Sequence, residues 1–170
     1  MKTKIVLFIL LAFLGTEFII YKNNKSTDQI PPISEESLPE DLLIEEYLNK
    51  NILKPEYEGR VFCTFHKYGS EEIESQISYY LWVYCEEYYK KDGDVLMGSG
   101  VSIPVRLNAT KSENEIKIQN FQQPIDGEGY SESIKNMFPE NYALKAINGF
   151  DISKLSENPK TKAYEFYKVQ

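Results

Sequence analysis

The chain has 170 residues, of which 42% are hydrophobic, and its formal net charge is −7 at pH 7. This length and apolar content allow one domain with its own core. The acidic balance, 26 Asp and Glu against 19 Lys and Arg with no basic cluster, argues against nucleic-acid binding, which requires a positive surface.

Residues 1–21 have the pattern of an export segment. Lys2 and Lys4 precede an apolar run over residues 5–14, and a weaker apolar stretch continues to Tyr21. The whole run would form roughly 25 Å of helix, against about 30 Å for a hydrocarbon core. It is interpreted either as a single-pass membrane anchor with the domain outside, or as a cleaved signal of a secreted protein. A third interpretation is a buried N-terminal helix of a cytosolic protein.

Residues 22–36 are predicted to form a linker, because they are polar, contain Pro31-Pro32 and show no apolar period. The domain that follows, over residues 37–149, is predicted to begin with a helix. Ser37 and Glu40 have the spacing of a capping box. The helix should end near Asn51, and its apolar stripe comprises Leu43, Ile44, Tyr47 and Leu48.

Four strands are predicted next, over residues 60–68, 77–90, 101–109 and 115–122. The second is dense in aromatic and β-branched residues and is apolar on both alternating faces, which indicates an inner strand covered on both sides. The short polar segment between the first two strands favours an antiparallel hairpin. Gly98-Ser99-Gly100 suggests a bulge or bend at the start of the third strand.

Two short helices are predicted over residues 130–138 and 139–147, and the charged residues 150–170 are predicted to form a loosely held tail. The order of elements therefore predicts an α+β fold. In it, the N-terminal helix packs on a four-stranded antiparallel sheet, and short helices follow at the C-terminal end.

The two cysteines of the chain, Cys63 and Cys85, both lie in the predicted hairpin. Pairing them would set the hairpin centre at Glu74, inside the polar turn, so the register is geometrically possible, and export would put them where disulfides persist. The alternative is that they are two small buried side chains that never meet. The sequence leaves both possibilities open.

Catalytic and metal sites have few candidate residues. His66 is the only histidine, no His-Glu-x-x-His motif is present, and no metal or cofactor site is predicted. The carboxylate pairs Glu71-Glu72 and Glu86-Glu87 are interpreted as solvated or edge charges, because adjacent strand residues point to opposite faces. Asn108-Ala-Thr110 fits the glycosylation acceptor motif.

A resemblance to a known family is carried by several motifs in order. These are His66-Lys67 before an acidic turn, the aromatic strand, Gly98-Ser99-Gly100 with Pro104, and PIDGEGYSESIKNMFP at residues 124–139. Together they resemble an extracytoplasmic domain of Gram-positive bacteria, found C-terminal to BlaR-type sensor metallopeptidases and in small exported proteins. The resemblance covers residues 38–147, and Cys63 departs from its pattern.

This resemblance implies an exported accessory or sensing domain with no catalytic residues to transfer, and the peptidase part is absent from this chain. By analogy of fold alone, a helix across a four-stranded sheet is similar to the cystatin or nuclear-transport-factor shape.

The leading hypothesis is a membrane-tethered or secreted domain that binds an envelope ligand or protein without catalysis. The aromatic residues Tyr80, Trp82 and Tyr84 are its candidate binding site, although aromatic strand residues more often belong to a core. One alternative is an exported enzyme that uses His66 with a carboxylate. Another is a structural partner subunit of a membrane complex.

Overall fold

The computed structural model describes residues 39–113 and 115–168; the predicted export segment 1–21 and linker 22–36 lie outside them. Along this part of the chain, no helix is long and apolar enough to cross a membrane. Its main elements are α1 (Glu40–Asn51), β1 (Arg60–Ile73), β2 (Gln76–Lys91), β3 (Asp94–Lys111), β4 (Ile116–Gln122), α2 (Tyr130–Met137), α3 (Glu140–Ile147) and α4 (Pro159–Lys168).

The four strands form one antiparallel sheet in the order β1-β2-β3-β4. Helix α1 packs on one side of the sheet, which we call the α1 face. Helices α2, α3 and α4 pack on the other side, which we call the C-terminal face. The predicted α+β architecture is confirmed.

Helix α1 begins at Glu40, with Pro39 in the N-cap position and no side-chain cap. The predicted cap was Ser37, two residues earlier, and Ser37 lies outside the described residues. The carbonyl of Pro39 accepts the first-turn N–H of Leu42 at 2.9 Å. The apolar stripe packs as predicted, because Ile44 and Leu48 are buried against the sheet.

Strand β2 is the inner strand that its sequence predicts, since both of its faces are covered. Leu81 and Val83 are buried in the core beneath α1, whereas Tyr80 packs against α2 and α3 on the C-terminal face. Burial of large apolar side chains on both faces is the main source of stabilisation in such a strand.

The first three strands are longer than predicted because their ends also pair, whereas β4 begins one residue later than predicted. The β1–β2 hairpin closes at Glu74, which has φ 55°, so the antiparallel hairpin is confirmed and its centre agrees with pairing of the two cysteines. The second hairpin turns at Asp92-Gly93, where both residues have positive φ, the backbone that two-residue hairpin turns require. Polar pairs such as Glu71 with Ser78 extend the ladder beyond the predicted end of β1.

The prediction of a loosely held tail over residues 150–170 is wrong for α4. Ala163 is fully buried, and the ring of Phe166 lies edge-on to that of Phe62 at 5.7 Å. The hydroxyl of Tyr167 donates to the carbonyl of Tyr88 at 2.8 Å. Charged residues surround these few contacts in the sequence and obscure the apolar stripe.

Candidate functional site

The two cysteines are joined in a disulfide between β1 and β2. Cys63 and Cys85 are directly opposite in the strand register, their Cα atoms are 4.1 Å apart, and both are fully buried. Of the two possibilities that the sequence leaves open, the structure has the bonded one. The bridge lies on the α1 face and therefore ties the edge strand to the inner strand beneath α1.

The three aromatic residues predicted to bind a ligand are mostly part of the core. Tyr80 is 3% exposed and Trp82 is 7% exposed. The ring of Tyr80 packs against those of Phe138 and Tyr142 from α2 and α3, at 5.2 and 5.5 Å. Only Tyr84 is half-buried. The prediction of an accessible aromatic site at Tyr80 and Trp82 is therefore not met, because α2 and α3 cover the Tyr80 ring and Trp82 is itself buried.

Glu86 and Glu87 were both predicted to be solvated or edge charges, and both are buried instead. On the C-terminal face, the Glu86 carboxylate accepts hydrogen bonds from the hydroxyls of Tyr84 and Tyr88, the latter at 2.6 Å. Burial raises the pKa of Tyr84 to about 12, and the hydrogen bond to Glu86 adds to this effect. In the described ranges, no basic side chain pairs with Glu86.

On the α1 face, Glu87 holds the connection between α1 and β1. Its carboxylate accepts the backbone N–H groups of Glu56, Tyr57 and Gly59 at 2.9, 2.8 and 2.9 Å, and the Ser99 hydroxyl at 3.0 Å. Burial alone would raise the pKa of Glu87, but these hydrogen bonds to the charged form lower it to about 2. This buried carboxylate has a structural role, because all of these donors belong to the chain itself.

His66 lies on the C-terminal face among aromatic rings. Its ring stacks on Phe150 at 4.4 Å and meets the edge of Tyr68 at 5.0 Å. Burial lowers the pKa of His66, and the nearby charge of Lys145 lowers it further. In the hydrogen bonds of the described residues, no carboxylate contacts His66, so the structure does not bring together the pair that the enzyme hypothesis requires.

A polar cleft of about 600 Å³ lies at the β4 end of the sheet, beside the hairpin that joins β1 and β2. The sheet itself forms its floor, so rigid strands rather than loops hold its polar groups. The residues that line this polar cleft are Gln76, Ile77, Ser78, Arg106, Asn108, Thr110, Gln119 and Asn120.

The side chains of the polar cleft form a chain of hydrogen bonds. Arg106 Nη2 donates to Ser78 Oγ at 3.1 Å, and Ser78 Oγ lies 3.4 Å from Asn108 Oδ1. Asn108 Nδ2 donates in turn to Asn120 Oδ1 at 2.7 Å. These bonds orient the amide and guanidinium groups across three neighbouring strands, and such pre-orientation lowers the entropy lost on ligand binding.

Among the described residues, Arg106 is the only charged side chain that lines the polar cleft. In the described part of the chain, no carboxylate lies within ion-pair distance of its guanidinium. Its Nε atom is buried and has no hydrogen-bond partner there. The cleft therefore has an uncompensated positive charge, although the chain as a whole is acidic.

Sequence reasoning missed the polar cleft. The available signal was the presence of polar residues within mostly buried strand segments. These residues are Ser78 on β2 and Arg106 and Asn108 on β3. The glycosylation acceptor motif includes Asn108 but does not indicate a cleft. Which neighbours these residues meet depends on the strand register, which the sequence alone did not determine.

No metal centre is formed in the described ranges, where no group of three or more His, Cys, Asp or Glu side chains converges. The candidate site is therefore the polar cleft, built from hydroxyl, amide and guanidinium groups. The chain matches no protein-family model, no curated protein and no solved structure.

Proposed function

We propose that the chain is an exported, non-catalytic binding domain that holds an acidic, hydroxyl-rich ligand of the cell envelope in the polar cleft. The observation that carries this proposal is the uncompensated guanidinium of Arg106 at the floor of the cleft. Guanidinium groups bind carboxylates with charge-assisted hydrogen bonds, and the neighbouring amides and hydroxyls suit the hydroxyl groups of a sugar. The ligand class is therefore an acidic saccharide.

Two observations support export. Residues 1–21 have the charged start and apolar run of an export segment, which would anchor the domain or be cleaved. Cys63 and Cys85 form a disulfide, and such bonds persist in oxidising compartments. The resemblance to the extracytoplasmic domain associated with BlaR-type sensors also implies this location and a binding or sensing role.

The two alternative functions have less support. The enzyme hypothesis needs a carboxylate at His66, and aromatic rings occupy that position instead. The partner-subunit hypothesis needs a contiguous apolar surface. The most exposed large apolar side chains are instead distributed over β1, β3, the segment before α2, and α3; they are Ile73, Met97, Ile125 and Leu144.

The proposal is tested by titrating the full-length chain with a galacturonic acid trimer and, separately, with a neutral maltose trimer. We expect binding of the acidic trimer, weakened at least about tenfold in Arg106→Gln, because a charge-assisted hydrogen bond contributes about 1.5–3 kcal/mol. Arg60→Gln is the matched control, since Arg60 is the other arginine and lies over the Phe62 and Phe166 rings, away from the cleft lining.

Equal affinity for the acidic and neutral trimers, or equal loss of affinity in the two arginine variants, would refute the assignment of the cleft. Export is tested separately by N-terminal sequencing of the protein isolated from host membranes and medium. Recovery of the intact chain from the cytosol alone would refute export.

A further inference from the structure

Strand β3 has a partner on both sides over only part of its length. Residues 106–111 pair with β4, whereas residues 94–105 pair with β2 alone. Beside this segment, the Tyr164 hydroxyl lies 3.5 Å from the Val95 carbonyl, Gly98 lies close to Tyr57 and Glu87, and Pro104 is fully buried. Gly100 and Ser102 are exposed, and we call residues 100–102 of this free side the open edge.

The direction of the backbone groups at the open edge follows from the ladder. Cys63 N–H and C=O point away from β2, because they bond to Asn49 Oδ1 at 2.6 Å and to Lys162 Nζ at 3.3 Å. Backbone direction alternates along and across an antiparallel ladder. Cys85, opposite Cys63, therefore bonds to Val101 on β3.

It follows that the residues on either side of Val101, Gly100 and Ser102, direct their N–H and C=O groups outward at the open edge. Pro104 is fully buried and has no N–H, so the open edge ends before it.

The outer edge of β1 and the open edge of β3 differ in protection. On the outer edge of β1, the Asn49 and Lys162 side chains occupy the outward backbone groups of Cys63. No side chain of the described residues bonds to the outward backbone groups of Gly100 and Ser102. A free strand edge is a template for another extended chain. Pro104 limits the length over which such pairing can extend.

Charge at the open edge indicates what the added chain should contain. Gly100 lies opposite Glu86 in the register, and a Cβ atom on Gly100 would lie 3.6 Å from Glu86 Cγ. An added strand would lie about 4.8 Å from β3 and so about 9.6 Å from β2. A lysine or arginine side chain passing over Gly100 can span that distance together with the Glu86 side chain.

We propose that the open edge of β3 binds an extended basic peptide segment of a partner protein by strand addition. The outward backbone groups of Gly100 and Ser102 form the ladder, and a lysine or arginine of the peptide pairs with Glu86. The occupant is basic because Glu86 is a buried carboxylate without a basic partner in the described residues. This surface is separate from the polar cleft, which lies beside the paired half of β3.

The test uses a fluorescein-labelled decapeptide of alternating threonine and lysine, with a threonine–glutamate decapeptide for comparison, and fluorescence anisotropy with the full-length chain. We expect the lysine peptide to bind and the glutamate peptide not to. Ser102→Pro removes an outward N–H and should weaken binding at least about tenfold. Ser102→Ala is the matched control, because it also removes the Ser102–Trp82 hydrogen bond but keeps the N–H.

Two further measurements keep the test independent of how well the proline variant folds. Glu86→Gln should weaken binding of the lysine peptide about tenfold. Amide hydrogen exchange at Gly100 and Ser102 in the unmodified chain should slow when the peptide is added. Arg106→Gln should leave peptide binding unchanged, which separates this surface from the polar cleft.

Three results would overturn the proposal. The first is no binding of the lysine peptide at millimolar concentration. The second is equal binding of the lysine and glutamate peptides, or equal affinity in Ser102→Pro and Ser102→Ala with unchanged exchange at the edge. The third is concentration-dependent dimerisation that protects the Gly100 and Ser102 amides without peptide, because a second copy of the chain would then occupy the edge.

Discussion

Glu87→Gln tests how much a single buried carboxylate contributes to this fold. In the native chain, Glu87 Oε1 accepts the N–H groups of Tyr57 and Gly59, and Oε2 accepts the N–H of Glu56. Glutamine has nearly the same shape, but it is uncharged and has an NH₂ group in place of one oxygen. That NH₂ group must face at least one backbone N–H, which leaves a buried donor without an acceptor.

The expected cost of Glu87→Gln follows from counting these bonds. A hydrogen bond to a charged group contributes about 1.5–3 kcal/mol, and a buried unsatisfied donor costs about 1–3 kcal/mol. Because the neutral amide keeps some of the bonds, we expect the free energy of unfolding to fall by about 3 kcal/mol. In a domain of this size each kcal/mol shifts Tm by roughly 4 °C, so the expected decrease is about 12 °C.

The pH dependence of Glu87→Gln has a defined sign. In the unmodified chain, the pKa of Glu87 is about 2 in the folded state, below the ordinary value of 4.5. The carboxyl group of the unfolded chain therefore binds a proton more readily. The stabilisation by Glu87 is therefore fully present above pH 4.5 and is lost as the pH falls from 4.5 towards 2. Urea unfolding at several pH values should show a constant difference between the unmodified chain and Glu87→Gln at neutral pH, and a shrinking difference below 4.5.

Glu46→Gln is the matched control, because Glu46 is about half exposed and its contact with Lys50 is a surface pair. Its effect should stay within about 0.5 kcal/mol. A loss below about 1 kcal/mol in Glu87→Gln, or a loss that does not change between pH 5 and pH 2, would refute the account of Glu87 as the carboxylate that holds residues 56–59.

Two further predictions concern stability. Cys63→Ala combined with Cys85→Ala should lower the free energy of unfolding by about 3 kcal/mol, because the disulfide joins residues 22 positions apart. If reductant left the urea unfolding of the unmodified chain unchanged, this prediction would be contradicted. Gly69→Ala should destabilise the chain by about 1–3 kcal/mol, because the new methyl group would overlap the phenol of Tyr142. Adding Tyr142→Ala should then cost less in the Gly69→Ala background than in the native chain, and strictly additive losses in thermal unfolding would refute the overlap.

The sequence predicted the central part of the fold because its apolar residues are periodic there. The stripe that includes Ile44 and Leu48 marks α1, and the two-sided apolar pattern around Leu81 marks the inner strand. Pairing Cys63 with Cys85 was compatible with the sequence, because it centres the hairpin at Glu74 inside the polar turn. These features depend on local periodicity and on one short turn, both of which a single sequence contains.

The sequence could not show contacts between distant segments of the chain. Glu87 appears as one of two adjacent charged residues, and its partners are backbone groups about 30 residues earlier, which have no sequence signature. Helix α4 has few apolar residues, and its fit depends on the aromatic side chains of β1 and β2. The polar cleft and the open edge both depend on where β4 begins to pair along β3, which is a matter of register.

The contact of Lys162 with Cys63 joins residues that are 99 positions apart, and the same lysine also pairs with Glu45 of α1. During synthesis from the N-terminal end, both strands of the hairpin are therefore made well before α4. Until then, the outward backbone groups of Cys63 lack one of their partners. Newly made chains consequently pass through an interval in which the outer edge of β1 lacks its contact from α4, and an uncovered strand edge is prone to pair with other extended chains.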